Sequence, residues 1–179
     1  MASKVTIAAA GDISFAGPNA EAPSMSMFSQ IIGALKGFNL VIGNLESPLV
    51  ADGNPIPGKC TLRGEPGCAE LMKEAGIHLV SLANNHTMDY GEAGLFSTMR
   101  ALGLAGIKYV GAGRNIEDAC APLFVNVDGG RISVLARTSV IVNSPSYAER
   151  DLPGVAFLDI STGEFLTSEG TRIYRSDAE

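Results

Sequence analysis

Short apolar runs alternate with helix-like stretches up to about residue 120, and this alternation restricts the fold more than any other feature of the sequence. The runs typical of buried strands are Val5–Ala10, Leu40–Gly43, Ile77–Leu82 and Ile107–Val110. Between them, apolar residues recur at helical spacing in Met25–Lys36, Pro66–Ala75 and Glu92–Leu104. Because strands that alternate with helices form parallel sheets, the pattern predicts an α/β fold with a mostly parallel central sheet and helices on both faces.

The pattern changes after about residue 120. Leu123–Val127 and Arg131–Leu135 flank the turn Asp128-Gly129-Gly130, which predicts a β-hairpin. Asn115 is expected to cap the short helix before it. A short strand is expected at Val155–Ile160, followed by a turn at Ser161-Thr162-Gly163 and a polar tail. The 179 residues have the size of one domain, so we expect residues 1–179 to form a single unit.

Charge and composition exclude several classes of protein. The net charge of −6 and the absence of a Lys/Arg cluster argue against a nucleic-acid partner. No apolar run approaches the roughly 18 to 20 residues that cross a bilayer, so no membrane segment is expected in this chain. The run Ser3–Ala10 is mildly like a secretion signal, but it is short and leads into Gly11-Asp12, so we interpret it as the first strand.

The cysteine pattern argues against a disulfide framework. Cys60, Cys68 and Cys120 are odd in number, and none stands in a Cys-x-x-Cys spacing. We therefore expect free thiols rather than disulfides or a thiolate zinc site.

Three motifs fall where predicted strands end. They are Gly11-Asp12-Ile13, Gly43-Asn44-Leu45-Glu46, and the run from Leu82 to Gly91 that contains Asn84-Asn85-His86. An open α/β sheet collects its ligands beyond the carboxyl ends of its strands, so these side chains are predicted to share one cleft. Carboxylate and amide oxygens with one imidazole suit a divalent metal such as Mn²⁺, Mg²⁺, Fe²⁺ or Zn²⁺.

Each of these residues also has a structural interpretation. Asp12 is compatible with a turn or helix cap, and the two asparagines are compatible with a structural turn. His78, at the start of the third predicted strand, is expected to be structural or a surface residue. Candidates for binding an anionic substrate are Asn84, Arg63 and Arg114, although a solvated position is the default for the two arginines.

The order of these motifs resembles the CapA family of capsule synthesis proteins. The resemblance rests on Gly11-Asp12, on Asn44-Leu45-Glu46-Ser47-Pro48-Leu49, on Leu82-Ala83-Asn84-Asn85-His86, and on Gly111-Ala112-Gly113-Arg114-Asn115 before Ala121-Pro122. It covers residues 4 to about 138. This family handles poly-γ-glutamate capsules and is related to the calcineurin-like metallophosphoesterases. The resemblance implies a metal-dependent α/β sandwich with its site at the strand ends.

The resemblance also implies roles for individual residues. Asp12 would hold one metal ion, Glu46 would bridge two ions, and Asn85 would bind the second. His86 would donate a proton to the leaving group, and Asp89 would orient His86.

One departure from the family affects the expected chemistry. Family members supply further histidines from later strands, whereas this chain has no histidine after His86. The two-metal constellation is therefore half present. Either the sequence is a fragment of a longer protein, or it is a short form that binds metal weakly or not at all; we favour a truncated or shortened member.

Three functions from different classes follow. The first is a CapA-like protein of poly-γ-glutamate or capsule metabolism, with a metal-dependent hydrolase-type site that is incomplete in this chain. The second is a non-catalytic module that binds an anionic polymer or a partner chain, and the third is a generic metallophosphatase. The expected partner is an anionic polymer or a small anionic substrate. Localisation stays open between the cytoplasm and an anchorless or truncated form of an extracellular enzyme.

Overall fold

A parallel sheet of four strands forms the centre of the protein. A computed structural model describes residues 4–17, 23–127, 129–140 and 146–158, together with the backbone of 164–166 and 172–174. The sheet order is β1-β2-β3-β4, with β1 at Ile7–Ile13, β2 at Leu40–Leu45, β3 at Leu79–Ser81 and β4 at Lys108–Val110. The helices are α1 (Ile32–Leu35), α2 (Cys68–Ala75), α3 (Gly91–Ala105) and α4 (Ile116–Cys120). The predicted α/β class with a parallel sheet is confirmed.

The two faces of the sheet are covered differently, because neighbouring residues of a strand point to opposite sides. One face shares a buried cluster with α2 and α3, formed among others by Val41, Val80, Leu82, Met72, Leu95 and Leu102. The other face is covered by the predicted hairpin, formed by β6 (Leu123–Val127) and β7 (Gly130–Val134). There Leu40, Leu79 and Val110 pack against Leu123, Val125, Ile132 and Val134. The apolar side of the hairpin thus covers a face on which helices were expected.

Strand β1 is an exposed edge strand rather than a buried one. It continues past the predicted end at Ala10 to Ile13, and its register against β2 shifts between Ala9 and Asp12. Most of its residues are exposed. The shifted register pairs Asp12 with Asn44, which places both residues at the same level of the sheet.

The predicted helix Met25–Lys36 is split into a 3₁₀ turn at Met25–Phe28 and the short helix α1. The Ser29 hydroxyl donates a hydrogen bond of 2.8 Å to the carbonyl of Ser26. Serine hydroxyls that bond to nearby backbone groups compete with helical hydrogen bonding, which accounts for the interruption.

The remaining elements follow β4. Strand β5 (Ala112–Gly113) pairs antiparallel with β8 (Gly154–Val155), and β9 (Glu164–Leu166) pairs antiparallel with β10 (Arg172–Tyr174). The cap at Asn115 is confirmed, since its side chain accepts a hydrogen bond of 2.9 Å from the Asp118 amide. The predicted strand Val155–Ile160 coincides with β8 at its first residue only; residues 159–163, which include the predicted turn, lie outside the described residues.

Two expectations from composition can be compared with the structure. Cys60, Cys68 and Cys120 are all free, as predicted. Within the described ranges, none of the helices combines the length and the apolar character needed to cross a bilayer.

Candidate functional site

Two carboxylates from neighbouring segments converge on one side chain of β2. The Asn44 amide nitrogen donates hydrogen bonds to Asp12 Oδ1 at 2.8 Å and to Glu46 Oε2 at 2.6 Å. The sheet sets this arrangement, because Asp12 pairs with Asn44 and the Glu46 amide extends the ladder by donating to the Ile13 carbonyl at 2.9 Å. Asp12 and Glu46 therefore reach the same amino group at the carboxyl end of the sheet.

Asn84 connects the ends of β2 and β3. Its Nδ2 donates to Asn44 Oδ1 at 3.0 Å and to the Leu45 carbonyl at 2.9 Å. Its Oδ1 accepts from the backbone amides of His86 and Thr87, each at 2.9 Å. Both amide hydrogens and both oxygen lone pairs are thus used within the protein, and Asn84 is buried. The geometry does not support the prediction that Asn84 binds substrate, because its hydrogen-bonding capacity is already filled.

His86 lies between two acidic residues. Its Nδ1 is 2.8 Å from Oδ2 of Asp89, a fully buried carboxylate that also accepts a hydrogen bond of 2.6 Å from the Leu62 amide. An ionised carboxylate only accepts, so Nδ1 carries the proton of this bond. Nε2 lies 3.8 Å from Glu46 Oε1, which is too far for a hydrogen bond. The His86–Asp89 contact is the one that the predicted orienting role of Asp89 requires.

Lys59 is a member of this network that the sequence analysis missed. Its ammonium group lies 2.5 Å from Asp89 Oδ1 and donates to the Asn85 carbonyl at 2.6 Å. The side chain is only 6% exposed, and lysines are rarely buried to this extent unless they are paired, as Lys59 is with Asp89. Lys59 lies in an irregular loop rich in proline and glycine, where no periodic pattern predicts which side chains are buried. The unusual length of this loop was the one feature of the sequence that indicated a functional segment.

The predicted arginines lie apart from the network. Arg63 is exposed and makes contacts of 3.4 Å with the Ala51 carbonyl and with Glu65. Arg114 is exposed and pairs with Asp118 at 2.6 Å. None of their described hydrogen bonds reaches the site residues, so the site geometry gives no support to their predicted role in substrate binding.

The second histidine is structural. His78 Nδ1 accepts a hydrogen bond of 3.0 Å from the Val41 amide, which ties the start of β3 to β2. Burial, together with the charge of Lys73, lowers the pKa of His78 below its ordinary value. A neutral imidazole is the form that this acceptor bond requires.

The donor set fits a divalent ion only in part. Asp12 and Glu46 offer hard oxygens around one point, and His86 Nε2 is the nearest imidazole nitrogen to Glu46. Within the part of the chain that the structure describes, however, no three His, Cys, Asp or Glu side chains are grouped so as to hold a metal ion. Among the described residues, Asp12 and Glu46 thus lie together, but no closed two-metal centre is formed.

Comparison with known proteins gives a consistent family. Residues 6–157 match the family described as bacterial capsule synthesis protein PGA_cap. The capsule biosynthesis protein CapA of Bacillus anthracis is 33% identical over 132 residues, which are 72% of this chain and 32% of that protein. A probable polyglutamine synthesis accessory protein of Mycobacterium tuberculosis is 38% identical over 117 residues, 63% of this chain and 30% of its own length. The PGA biosynthesis protein CapA of Bacillus subtilis is 27% identical over 133 residues, 73% of this chain and 35% of its own length.

The chain thus spans about a third of the length of these relatives. Because the family match extends over most of its sequence, the chain belongs to the bacterial capsule synthesis family PGA_cap, to which the CapA-like motifs pointed.

Proposed function

We propose that this chain carries the strand-end part of a hydrolase-type site in a CapA-like protein of poly-γ-glutamate or capsule metabolism. One observation carries the proposal: Asp12 and Glu46 converge on the same amino group, with His86 Nε2 3.8 Å from Glu46. Acidic oxygens next to an imidazole are the groups that metal-assisted hydrolysis uses. The names of the relatives, which refer to capsule biosynthesis, polyglutamine synthesis and PGA biosynthesis, support this biological setting.

The residues take the following roles in this proposal. Asp12, Glu46 and Asn85 would hold a divalent ion, for which Mn²⁺, Mg²⁺, Fe²⁺ and Zn²⁺ are the candidates. Such an ion supplies Lewis acidity when it is bound. His86 exchanges protons at Nε2, because its Nδ1 is held by Asp89. The Glu46 and His86 side chains are 18% and 17% exposed, so an anionic substrate can reach both.

A non-catalytic binding module is the second candidate. The absence of three grouped His, Cys, Asp or Glu side chains among the described residues favours it, because two carboxylates and a neutral amide hold a divalent ion weakly. In this version the same strand ends bind an anionic polymer or a partner chain without turnover.

Metal binding separates these functions from a purely structural network. Calorimetric titration with Mn²⁺ should show at most one weakly held ion per chain. Glu46→Gln should weaken that binding at least tenfold, whereas Glu74→Gln, an exposed glutamate in the last turn of α2, should leave it unchanged. Equal Mn²⁺ affinity in the two variants would refute the assignment of Glu46.

Activity assays then distinguish the functions from one another. Hydrolysis of γ-glutamyl peptides that is lost in Glu46→Gln and His86→Gln, with the fold retained, supports the first function. Binding of poly-γ-glutamate without hydrolysis supports the second. Hydrolysis of p-nitrophenyl phosphate alone supports a generic phosphoesterase. Two tightly bound ions with full activity would show that other residues make the site.

A further inference from the structure

We infer that Lys59 is a positioning residue of this site: it fixes the tautomer of His86 by holding Asp89 and the Asn85 carbonyl at the same time. The catalytic meaning of this inference rests on the proposed function. The geometry on which it stands does not, because it concerns only contacts within the chain.

Lys59 contacts one residue before His86 in the sequence and one residue after it. The Asn85 carbonyl, 2.6 Å from Nζ, belongs to the peptide bond that directly precedes His86. Asp89 Oδ1, 2.5 Å from Nζ, belongs to the carboxylate that holds the His86 ring. One ammonium group therefore restrains both the backbone and the side chain of His86. The lysine side chain is long enough to bring one ammonium group to both partners, and it is only 6% exposed.

The two oxygens of Asp89 face different groups, and Oδ1 meets the Lys59 ammonium as an ion pair rather than through a directed hydrogen bond. Oδ2 accepts from the Leu62 amide at 2.6 Å and from His86 Nδ1 at 2.8 Å, while Oδ1 faces the Lys59 ammonium. This division keeps the carboxylate turned so that Oδ2 faces the imidazole. A neutral His86 is consequently protonated on Nδ1 and carries its lone pair on Nε2, the nitrogen on the Glu46 side.

Holding the loop in place is a simpler role for Lys59, and it predicts a different result. Asp89 also anchors the loop through its carbonyl, which accepts from the Ile56 amide at 2.8 Å. The amides of Ile56 and Leu62 therefore keep the loop attached without Lys59.

If Lys59 only held the loop, its loss would leave the bond between His86 and Asp89 intact. If it positions Asp89, its loss leaves a buried carboxylate without a counter-ion. Nothing then keeps Oδ2 turned toward the imidazole, and a reoriented carboxylate no longer makes the bond that fixes the His86 tautomer.

The two histidines of the chain allow a direct measurement. Long-range ¹H–¹⁵N correlation spectra at pH 8, above the ordinary histidine pKa, identify which ring nitrogen carries the proton. We expect opposite tautomers in the wild-type chain. His86 should be protonated on Nδ1, and His78 should be protonated on Nε2 because its Nδ1 accepts from the Val41 amide. A wild-type His86 protonated on Nε2 would overturn the inference without any variant.

Variants of Lys59 complete the test. Lys59→Gln should abolish the single Nδ1–H form of His86 and leave His78 unchanged, whereas Lys59→Arg, which keeps the charge, should retain it. Lys73→Gln is the matched control, since Lys73 also donates to a carbonyl, that of Gly106 at 3.3 Å. It should change neither the His86 tautomer nor the protonated nitrogen of His78.

A folded Lys59→Gln chain with an unchanged His86 tautomer would overturn the inference. If Lys59→Gln does not fold, Lys59→Arg decides, since loss of the Nδ1–H form there contradicts the role of the charge. The spectra require neither metal nor substrate. A chain that hydrolyses nothing can therefore still support the role of Lys59, and an unaffected tautomer leaves the proposed function standing.

Discussion

The buried ion pair between Lys59 and Asp89 should couple the two residues strongly in stability. Asp89 is fully buried and the Lys59 side chain is 6% exposed, at a separation of 2.5 Å. With an effective dielectric constant of about 20, Coulomb's law gives an attraction of about 7 kcal/mol at this distance, before the cost of removing both ions from water. Removing one partner of such a pair typically costs about 3–5 kcal/mol, because the other charge stays buried without compensation.

A double-mutant cycle measures this coupling. Asp89→Asn and Lys59→Met should each lower the free energy of unfolding by about 3–5 kcal/mol. The double variant should lose no more than one single variant does, because it buries no unpaired charge. The coupling energy is then about 3 kcal/mol or more, measured by urea unfolding at 25 °C with the m-value checked for constancy.

The exposed pair Arg114–Asp118 provides a matched control. Its side chains are 73% and 35% exposed, and its contact of 2.6 Å is within 0.1 Å of the 2.5 Å contact of the buried pair. Because water and salt screen exposed charges, the cycle Arg114→Met with Asp118→Asn should give a coupling within the error of the measurement. Additive effects at Lys59 and Asp89 would refute the view that these two charges depend on each other.

Three further results are expected. Gly111 has a φ of +87°, and a Cβ there would lie 2.6 Å from the Ala83 side chain, so Gly111→Ala should lower the free energy of unfolding by about 1–3 kcal/mol, measured by thermal unfolding. Gly33 in α1 is the control, because a Cβ there meets nothing within 4 Å. Gly33→Ala should leave the free energy of unfolding unchanged or raise it by up to about 1 kcal/mol. In the folded chain at pH 8, Ellman's reagent should modify the exposed Cys60 first, because burial raises the pKa of the Cys68 thiol to about 11; equal rates at the two cysteines would contradict this. Burial lowers the pKa of His78, so on acidification the unfolded chain takes up the His78 proton before the folded chain does, and stability should fall as pH drops below about 6.5. In His78→Asn the urea midpoint should depend less on pH across that range. An unchanged pH dependence in this variant would contradict the argument.

The parallel sheet was predictable because each of its strands carries a local signal. Apolar runs such as Leu40–Gly43 and helical spacing such as that of Glu92–Leu104 depend on neighbouring residues only. The exposure of β1 was not predictable in this way, because the apolar run Val5–Ala10 carries none of the charged or proline residues that mark many edge strands. The hairpin β6–β7 was located correctly, but the face it covers depends on contacts with residues far away in sequence, such as Leu40.

The candidate site divides along the same line. Asp12 lies near the carboxyl end of β1, and Glu46 and His86 follow β2 and β3, so a general rule about sheet edges was enough to predict that they lie close together. Lys59 reaches Asn85 and Asp89 across 26 and 30 residues of irregular chain, and no periodic pattern encodes such a contact. The hydrogen bonding of Asn84 was not predictable either. Sequence alone does not show how many of the hydrogen bonds of a side-chain amide are already made to backbone groups.

The orientation of Asn44 gives a physical reason why this chain should hold an ion weakly. The backbone amides of His86 and Thr87 fix the oxygen of Asn84, so Asn84 must present its amino group to Asn44. Asn44 therefore turns its own oxygen toward Asn84 and its amino group toward the two carboxylates, and rotating it would bring two amino groups together. An ion that binds Asp12 Oδ1 or Glu46 Oε2 competes with this amino group, because these two oxygens already accept charge-assisted bonds of 2.8 and 2.6 Å. Giving up each such bond costs about 1.5–3 kcal/mol, or roughly tenfold to a hundredfold in affinity, so tight binding requires donors beyond Asp12 and Glu46.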